Sequence, residues 1–149
     1  MVMEFNTLFT VGYEAKSIDY FSQAIQESNI PVLIDVRNVA ISRKPGFSKT
    51  KLASCLNENN IEYLHIQDLG APKPIRSRYY QDRNFNAFKK AYLKHLNSTS
   101  GSLSKIIEIL KEKSACLLCF EQSAQECHRS IVAEEIVKQT KGRVKIEHL

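Results

Sequence analysis

The chain has 149 residues, 43% of them apolar and 25% charged, the composition of one soluble globular domain with a single substantial core. No apolar stretch reaches the length of a membrane span, and the N-terminus lacks the basic-then-apolar form of a secretion signal, so a cytoplasmic protein without a membrane role is expected. The net charge of +5 is segregated: residues 41–51 carry +4 and residues 73–94 carry +6, leaving −5 for the rest, which points to a polyanionic partner, nucleic acid before membrane.

In chain order, Leu8–Val11 reads as a buried strand stopped by Gly12-Tyr13-Glu14. Ser17 then caps a helix Ile18–Glu27, with Ile18, Phe21, Ala24 and Ile25 on one face. Pro31–Ile34 is a second buried strand with Asp35 and Arg37 at its carboxyl end. A basic loop marked by Pro45 and Gly46 leads to Ser48, the expected cap of a helix through about Asn59, and Ile61–Ile66 is a third strand. This alternation calls for a parallel sheet with right-handed crossovers. A basic insertion over about 71–100 interrupts it, read as a polar loop Ala71–Arg83 followed by a helix Phe85–Leu96. A helix Ser102–Lys113, a strand Ala115–Phe120, a polar loop Gln122–Glu126, a helix from His128 to about Lys138 and an edge strand Val144–Ile146 complete the chain.

The expected fold is a single α/β domain over residues 1–149. It has a mostly parallel five-stranded sheet flanked by helices, a Rossmann-like three-layer sandwich. The first and fourth strands are the expected neighbours where the strand order reverses, because a long excursion separates them. Ligands of such sheets bind beyond the carboxyl ends of the strands at that point. Tyr13, Glu14, Asp35, Arg37, Asp68, Cys119 and Glu121 would then surround one crevice.

Gly12-Tyr13-Glu14, Asp35-Val36-Arg37 followed by Ser42-Arg43-Lys44-Pro45-Gly46-Phe47-Ser48, Leu69-Gly70 before Pro72-Lys73, and Cys119-Phe120-Glu121 followed by Cys127-His128-Arg129 occur in a specific order and spacing. Together they resemble domain-of-unknown-function family 488, over roughly Leu8 to Ile136. The resemblance implies an α/β sandwich and a cytoplasmic prokaryotic protein; it brings no established reaction and no established catalytic residues.

The chemistry must come from the residues. His128-Arg129-Ser130 occupy a first helical turn where acids are usual, so free N–H groups, helix dipole and Arg129 favour an anion there. Pairing of Arg129 with Glu126 or another carboxylate is the competing structural use. Arg37, Arg43 and Arg129 suit phosphate or carboxylate, with Tyr13, Ser42, His128 and Ser130 completing the anion set. Asp35 and Arg37 share a face and can bond each other, so carboxylates orient arginines that hold the ligand. Glu14 and Glu121 are the candidate proton-transfer pair, with Asp35 the third catalytic candidate.

In the insertion, Lys73, Arg76 and Arg78 with Tyr79 and Tyr80 have the make-up of a nucleic-acid surface, cations for phosphates and rings for bases. Phe85, Phe88 and Tyr92 fall at helical spacing and read as core. In a cytoplasmic protein the four cysteines are expected to be reduced. Cys116 and Cys119 sit on opposite faces of one strand, and Cys55 and Cys116 read as small buried hydrophobes. Cys119, Cys127 and His128 match no standard metal-finger spacing, so no metal and no cofactor are expected.

The function these residues favour is binding of a phosphate-bearing ligand, nucleic acid or nucleotide, at the carboxyl edge of the sheet, with hydrolysis of a nucleotide or base as the reaction class. One alternative is a rhodanese- or phosphatase-like thiol enzyme using Cys119, against which stand the ten residues to Arg129 with no glycine between. The other is a non-catalytic nucleic-acid-binding module.

Overall fold

Side-chain alternation along the strands divides the core in two. Leu8, Val32, Ile34, Ala115 and Leu117 point to one face of the sheet; Val11, Leu33, Cys116 and Leu118 point to the other. The computed structural model describes residues 4–99 and 101–149. Its strands are β1 (Leu8–Gly12), β2 (Val32–Asp35), β3 (Glu62–His65), β4 (Ala115–Cys119) and β5 (Ile146–His148). They form one sheet in the order β3-β2-β4-β1-β5, and every pairing is parallel.

Both faces need cover because the central strands are apolar on both sides. Helices α1 (Ile18–Glu27) and α2 (Lys49–Glu58) supply Phe21, Ile25, Leu52 and Leu56 to one face. Helices α3 (Lys73–Asp82), α4 (Phe85–Ser98), α5 (Ser102–Glu112) and α6 (His128–Gln139) cover the other with Tyr79, Tyr92, Ile106 and Ile131. The result is the expected three-layer α/β sandwich. From β1 the chain steps outward to β2 and β3 across the first face, then returns to β4 and β5 across the second. Strands β1 and β4 are neighbours, with Gly12 opposite Cys119 at their carboxyl ends. Their following helices lie on opposite faces, which makes this the switch point.

Three local expectations are corrected. Residues 73–82, read as loop, are helix α3. Pro72 is its N-cap and Pro74 lies in its first turn, where a missing N–H breaks no helical bond, and Arg83 ends it in the left-handed region at φ 53°. Helix formation turns Tyr79 inward against Phe88 and Phe85, so it belongs to the core, while Tyr80 points out. Ser48 is the N-cap of α2 but makes no capping bond; its hydroxyl instead accepts from Ser42 N and donates to Ser42 O, closing the basic loop. The last strand begins at Ile146, two residues later than read. Ser17 caps α1 as expected, accepting from Tyr20 N. Cys116 is fully buried, whereas Cys55 is half-buried.

At Gly70 the chain crosses the backbone of Asn38 so closely that a Cβ there would lie 2.1 Å from the Asn38 nitrogen. This pins the start of the insertion to the loop after β2. Among the described residues no helix is long and apolar enough to cross a membrane.

Candidate functional site

The carboxyl ends of β1, β2 and β4 open into a cavity of about 310 Å³. Tyr13, Arg37, Cys119 and His128 form its floor; Asn38, Val39, Ile41, Ser42 and Arg43 form one wall; Arg76, Tyr79 and Tyr80 of α3 form the other. Phe120, Glu121 and Glu126 from the loop between β4 and α6 complete the rim.

That loop is held by Arg129, which is fully buried. Its Nε donates to Thr10 Oγ1 at 3.2 Å, Nη1 to the Glu121 carbonyl and toward Cys119 Sγ at 3.3 Å, and Nη2 to the Gln122 carbonyl at 3.0 Å. No carboxylate among the described residues lies within ion-pair distance of it, and burial pushes its pKa below the ordinary value. Gly12 makes this loop position fit: a Cβ would fall 1.7 Å from the Glu121 carbonyl oxygen. Arg129 therefore braces the rim from behind and does not line the cavity. Ser130, one residue on, gives its hydroxyl to Cys127 O and also lies outside the lining.

Arg37 is committed to internal partners. It donates from Nε and Nη2 to Asp35, closest at 2.6 Å, and from Nη1 to Phe47 O at 2.7 Å and Tyr13 Oη at 3.1 Å. Burial alone would lower its pKa, but the hydrogen bonds and charge of Asp35 hold it above the ordinary arginine value. Asp35 is fully buried, also accepts from Tyr63 Oη at 2.6 Å, and does not line the cavity. The expected bond between these two residues is present, and it is the anchor of the floor. Tyr13 stacks on Phe47 with ring centroids 4.4 Å apart, and Lys44 Nζ donates to the Tyr13 and Glu14 carbonyls, drawing the basic loop over the end of β1.

Arg43 and Arg76 differ from these. Both line the cavity, and neither pairs with a carboxylate among the described residues. The Nε of Arg76 is buried without a hydrogen-bond partner among the described residues. Tyr80 is half-exposed and donates to Glu121 Oε1 at 3.1 Å. Burial, with the adjacent Glu121 carboxylate, pushes the Tyr80 phenol up to about 12.

Of the three catalytic candidates only Glu121 lines the cavity; Glu14 is exposed and accepts from Gln122 N, capping the loop from outside. Of the nucleic-acid set, Arg76, Tyr79 and Tyr80 line it. Lys73 is exposed at the start of α3, and Arg78 pairs with Asp82 on the outer side of the same helix. Of the anion set, Tyr13, Arg37, Ser42, Arg43 and His128 line it.

His128 is buried and donates from Nε2 to the Val36 carbonyl at 2.7 Å. A carbonyl only accepts, so Nδ1 carries the lone pair. Burial lowers the His128 pKa to about 4 against the opposing pull of that hydrogen bond, and Arg129 lowers it further, so the ring is neutral. The expectation of four reduced cysteines is corrected: Cys119 and Cys127 are joined in a disulfide, because the loop doubles back through a 3-10 turn (Ala124–Glu126) and returns the start of α6 to the end of β4. The same folding-back brings Arg129 beside Cys119 despite the ten residues between them.

Asn38, Val39 and Ile41 line the cavity, and Thr10 holds Arg129 behind it, without having been singled out as site residues. Thr10 offered one signal, a hydroxyl inside an otherwise apolar strand.

Fold and cavity together define a doubly wound α/β protein with a cavity at its switch point. Its sequence carries the identification further. Over residues 17–136 it matches the family described as Domain of unknown function DUF488, and the chain belongs to that family. No significant match exists among curated proteins or solved structures.

Proposed function

We propose that the cavity binds a phosphate-bearing ligand, a nucleotide or one nucleotide unit of a nucleic acid, and that the protein hydrolyses it. One observation carries this reading: Arg43 and Arg76 line the same cavity without an ion pair among the described residues, and Glu121 lines it too. An unmatched guanidinium in a cleft is a ready fork for phosphate oxygens. The half-exposed rings of Tyr80 and Phe120 offer faces for a base to stack on. Glu121, held by the Tyr80 hydroxyl, is the proton-transfer group. A cavity of about 310 Å³ lies at the small end of ligand sites, with room for one nucleotide unit and not for a duplex. Arg37 and Asp35 shape the floor, and Arg129 positions the rim carrying Glu121. This reading places the protein in the cytoplasm. A nucleophilic role for Cys119 requires its disulfide to be opened first.

The test is equilibrium binding of a fluorescent mononucleotide and a short single-stranded oligonucleotide. The double variant Arg43→Ala/Arg76→Ala weakens both roughly 10- to 100-fold, the loss of charge-assisted hydrogen bonds worth about 1.5–3 kcal/mol. Glu121→Gln keeps binding and loses about 10²–10⁴-fold in turnover on a nucleotide panel. Affinity unchanged in the double variant overturns the assignment of the cavity.

A further inference from the structure

We propose that Cys119, Cys127 and His128 form a binding site for a single zinc ion, which becomes available when the Cys119–Cys127 disulfide is reduced. The donor atoms of the three residues lie within 4.8 Å of one another, and all three residues are buried. Two thiolate sulfurs and an imidazole nitrogen are a donor set that zinc takes readily. Cys119 ends strand β4, while Cys127 is the N-cap of α6 and His128 its first residue, so rigid elements hold the ligands.

A second, independent observation points to a bound cation. His128 is 8% exposed, and its Nε2–H is fixed on the Val36 carbonyl. That leaves the Nδ1 lone pair facing Cys127 Sγ at 3.8 Å. A sulfur in a disulfide has no proton to give, so this buried lone pair is aimed into the sulfur pair without a donor. An imidazole whose other nitrogen donates to a backbone carbonyl is the arrangement of a metal-ligating histidine. The backbone agrees: the Cys119 and Cys127 Cα atoms are 7.5 Å apart, wider than the roughly 4.4–6.8 Å most disulfides span.

Arg129 is compatible with the ion. One zinc ion and two thiolates add no net charge beside it, and its Nη1, 3.3 Å from Cys119 Sγ, gains a charged acceptor in place of a neutral one. In a reducing cytoplasm the dithiol is the expected state. A dithiol reductant gives the disulfide two electrons and two protons, and zinc then displaces the two thiol protons to solvent.

Three protein ligands leave a fourth position, and Cys119 and His128 both line the cavity, so that position opens into it. Glu121 Oε2 lies 3.5 Å from Cys119 Sγ, placed to accept a proton from a water held there. This hydrolytic use rests on the reading of the cavity given above; the metal site does not.

The experiment uses the full chain, reduced with dithiothreitol, freed of reductant under nitrogen and shown to have four free thiols. It is titrated with Co²⁺ and then with Zn²⁺. One cobalt per chain with a sulfur-to-cobalt charge-transfer band, displaced by zinc, is expected. Cys119→Ser and Cys127→Ser each lose more affinity than the roughly 10–100-fold that an outer-shell change costs. Cys116→Ser, on the opposite face of β4, leaves the band unchanged. Reduced protein that takes up no cobalt, or cobalt without a sulfur band, overturns the site; so does a dithiol that simply reoxidises with zinc present. The spectrum is read on the unaltered chain, so a misfolded variant cannot imitate failure. Nucleotide binding is measured separately on oxidised protein: metal uptake without it upholds the site and removes only its hydrolytic use.

Discussion

Replacing Arg129 with methionine keeps most of the side-chain length and removes the guanidinium. Thr10 keeps a partner, since its hydroxyl also meets His148 Nδ1. The Gln122 carbonyl, on an exposed residue, recovers water. The Glu121 carbonyl does not, because Gly12 packs against it. One buried acceptor is therefore orphaned, at about 1–3 kcal/mol, and charge-assisted bonds worth about 1.5–3 kcal/mol each are lost. Against this stands relief from burying a charge, which in favourable cases returns about 1–4 kcal/mol. Even with the lost terms at their smallest and the relief at its largest, the three bonds leave a net loss of about 1.5 kcal/mol or more, which in a domain of this size lowers Tm by at least roughly 3–6 °C. Calorimetry or urea melts of Arg129→Met measure it. A Tm equal to or above that of the unaltered chain would refute the bracing role and mean that the arginine is retained at the expense of stability.

Gly12→Ala drives a Cβ into the Glu121 carbonyl and displaces the rim; it lowers Tm by at least as much as Arg129→Met and abolishes nucleotide binding, and a normally stable, binding-competent variant would contradict the packing described. For Tyr80, the difference in ultraviolet absorbance titration between the unaltered chain and Tyr80→Phe has its midpoint near 12, and Glu121→Gln moves that midpoint down. Because the folded-state value is raised, the stabilisation linked to it is complete below the unfolded tyrosine pKa of about 10 and is lost as pH rises through 12. Lys89→Ala removes an exposed ion pair with Glu134 and changes stability by no more than about 1 kcal/mol in denaturant melts.

That the first and fourth strands are neighbours was legible from connection lengths: the long excursion before Ala115 leaves the fourth strand to slot in beside the first. Asp35 and Arg37 were legible as partners because their spacing of two puts both on one side of extended chain. Helix α3 was not, because two prolines and four cations masked a short helix that buries chiefly Tyr79, and proline at a helix start reads locally like proline in a loop. Missing the helix inverted the reading of Tyr79. The role of Arg129 was hidden for a different reason: its partners are backbone carbonyls and a strand hydroxyl, and backbone acceptors have no sequence signature. The pairing of Cys119 with Cys127 likewise depends on a loop folding back, and the expectation of reduced cysteines came from the expected compartment and not from the fold.

The pinch between Gly70 and Asn38 has an evolutionary side. It fixes the point where the chain leaves the sheet, so the helical hairpin beyond it contributes Arg76 and Tyr80 from a separate length of sequence while Cys119, Glu121 and His128 stay on the scaffold. The two sides of the cavity can thus change independently: substitutions in the hairpin reshape one wall and leave the sheet-borne side in place.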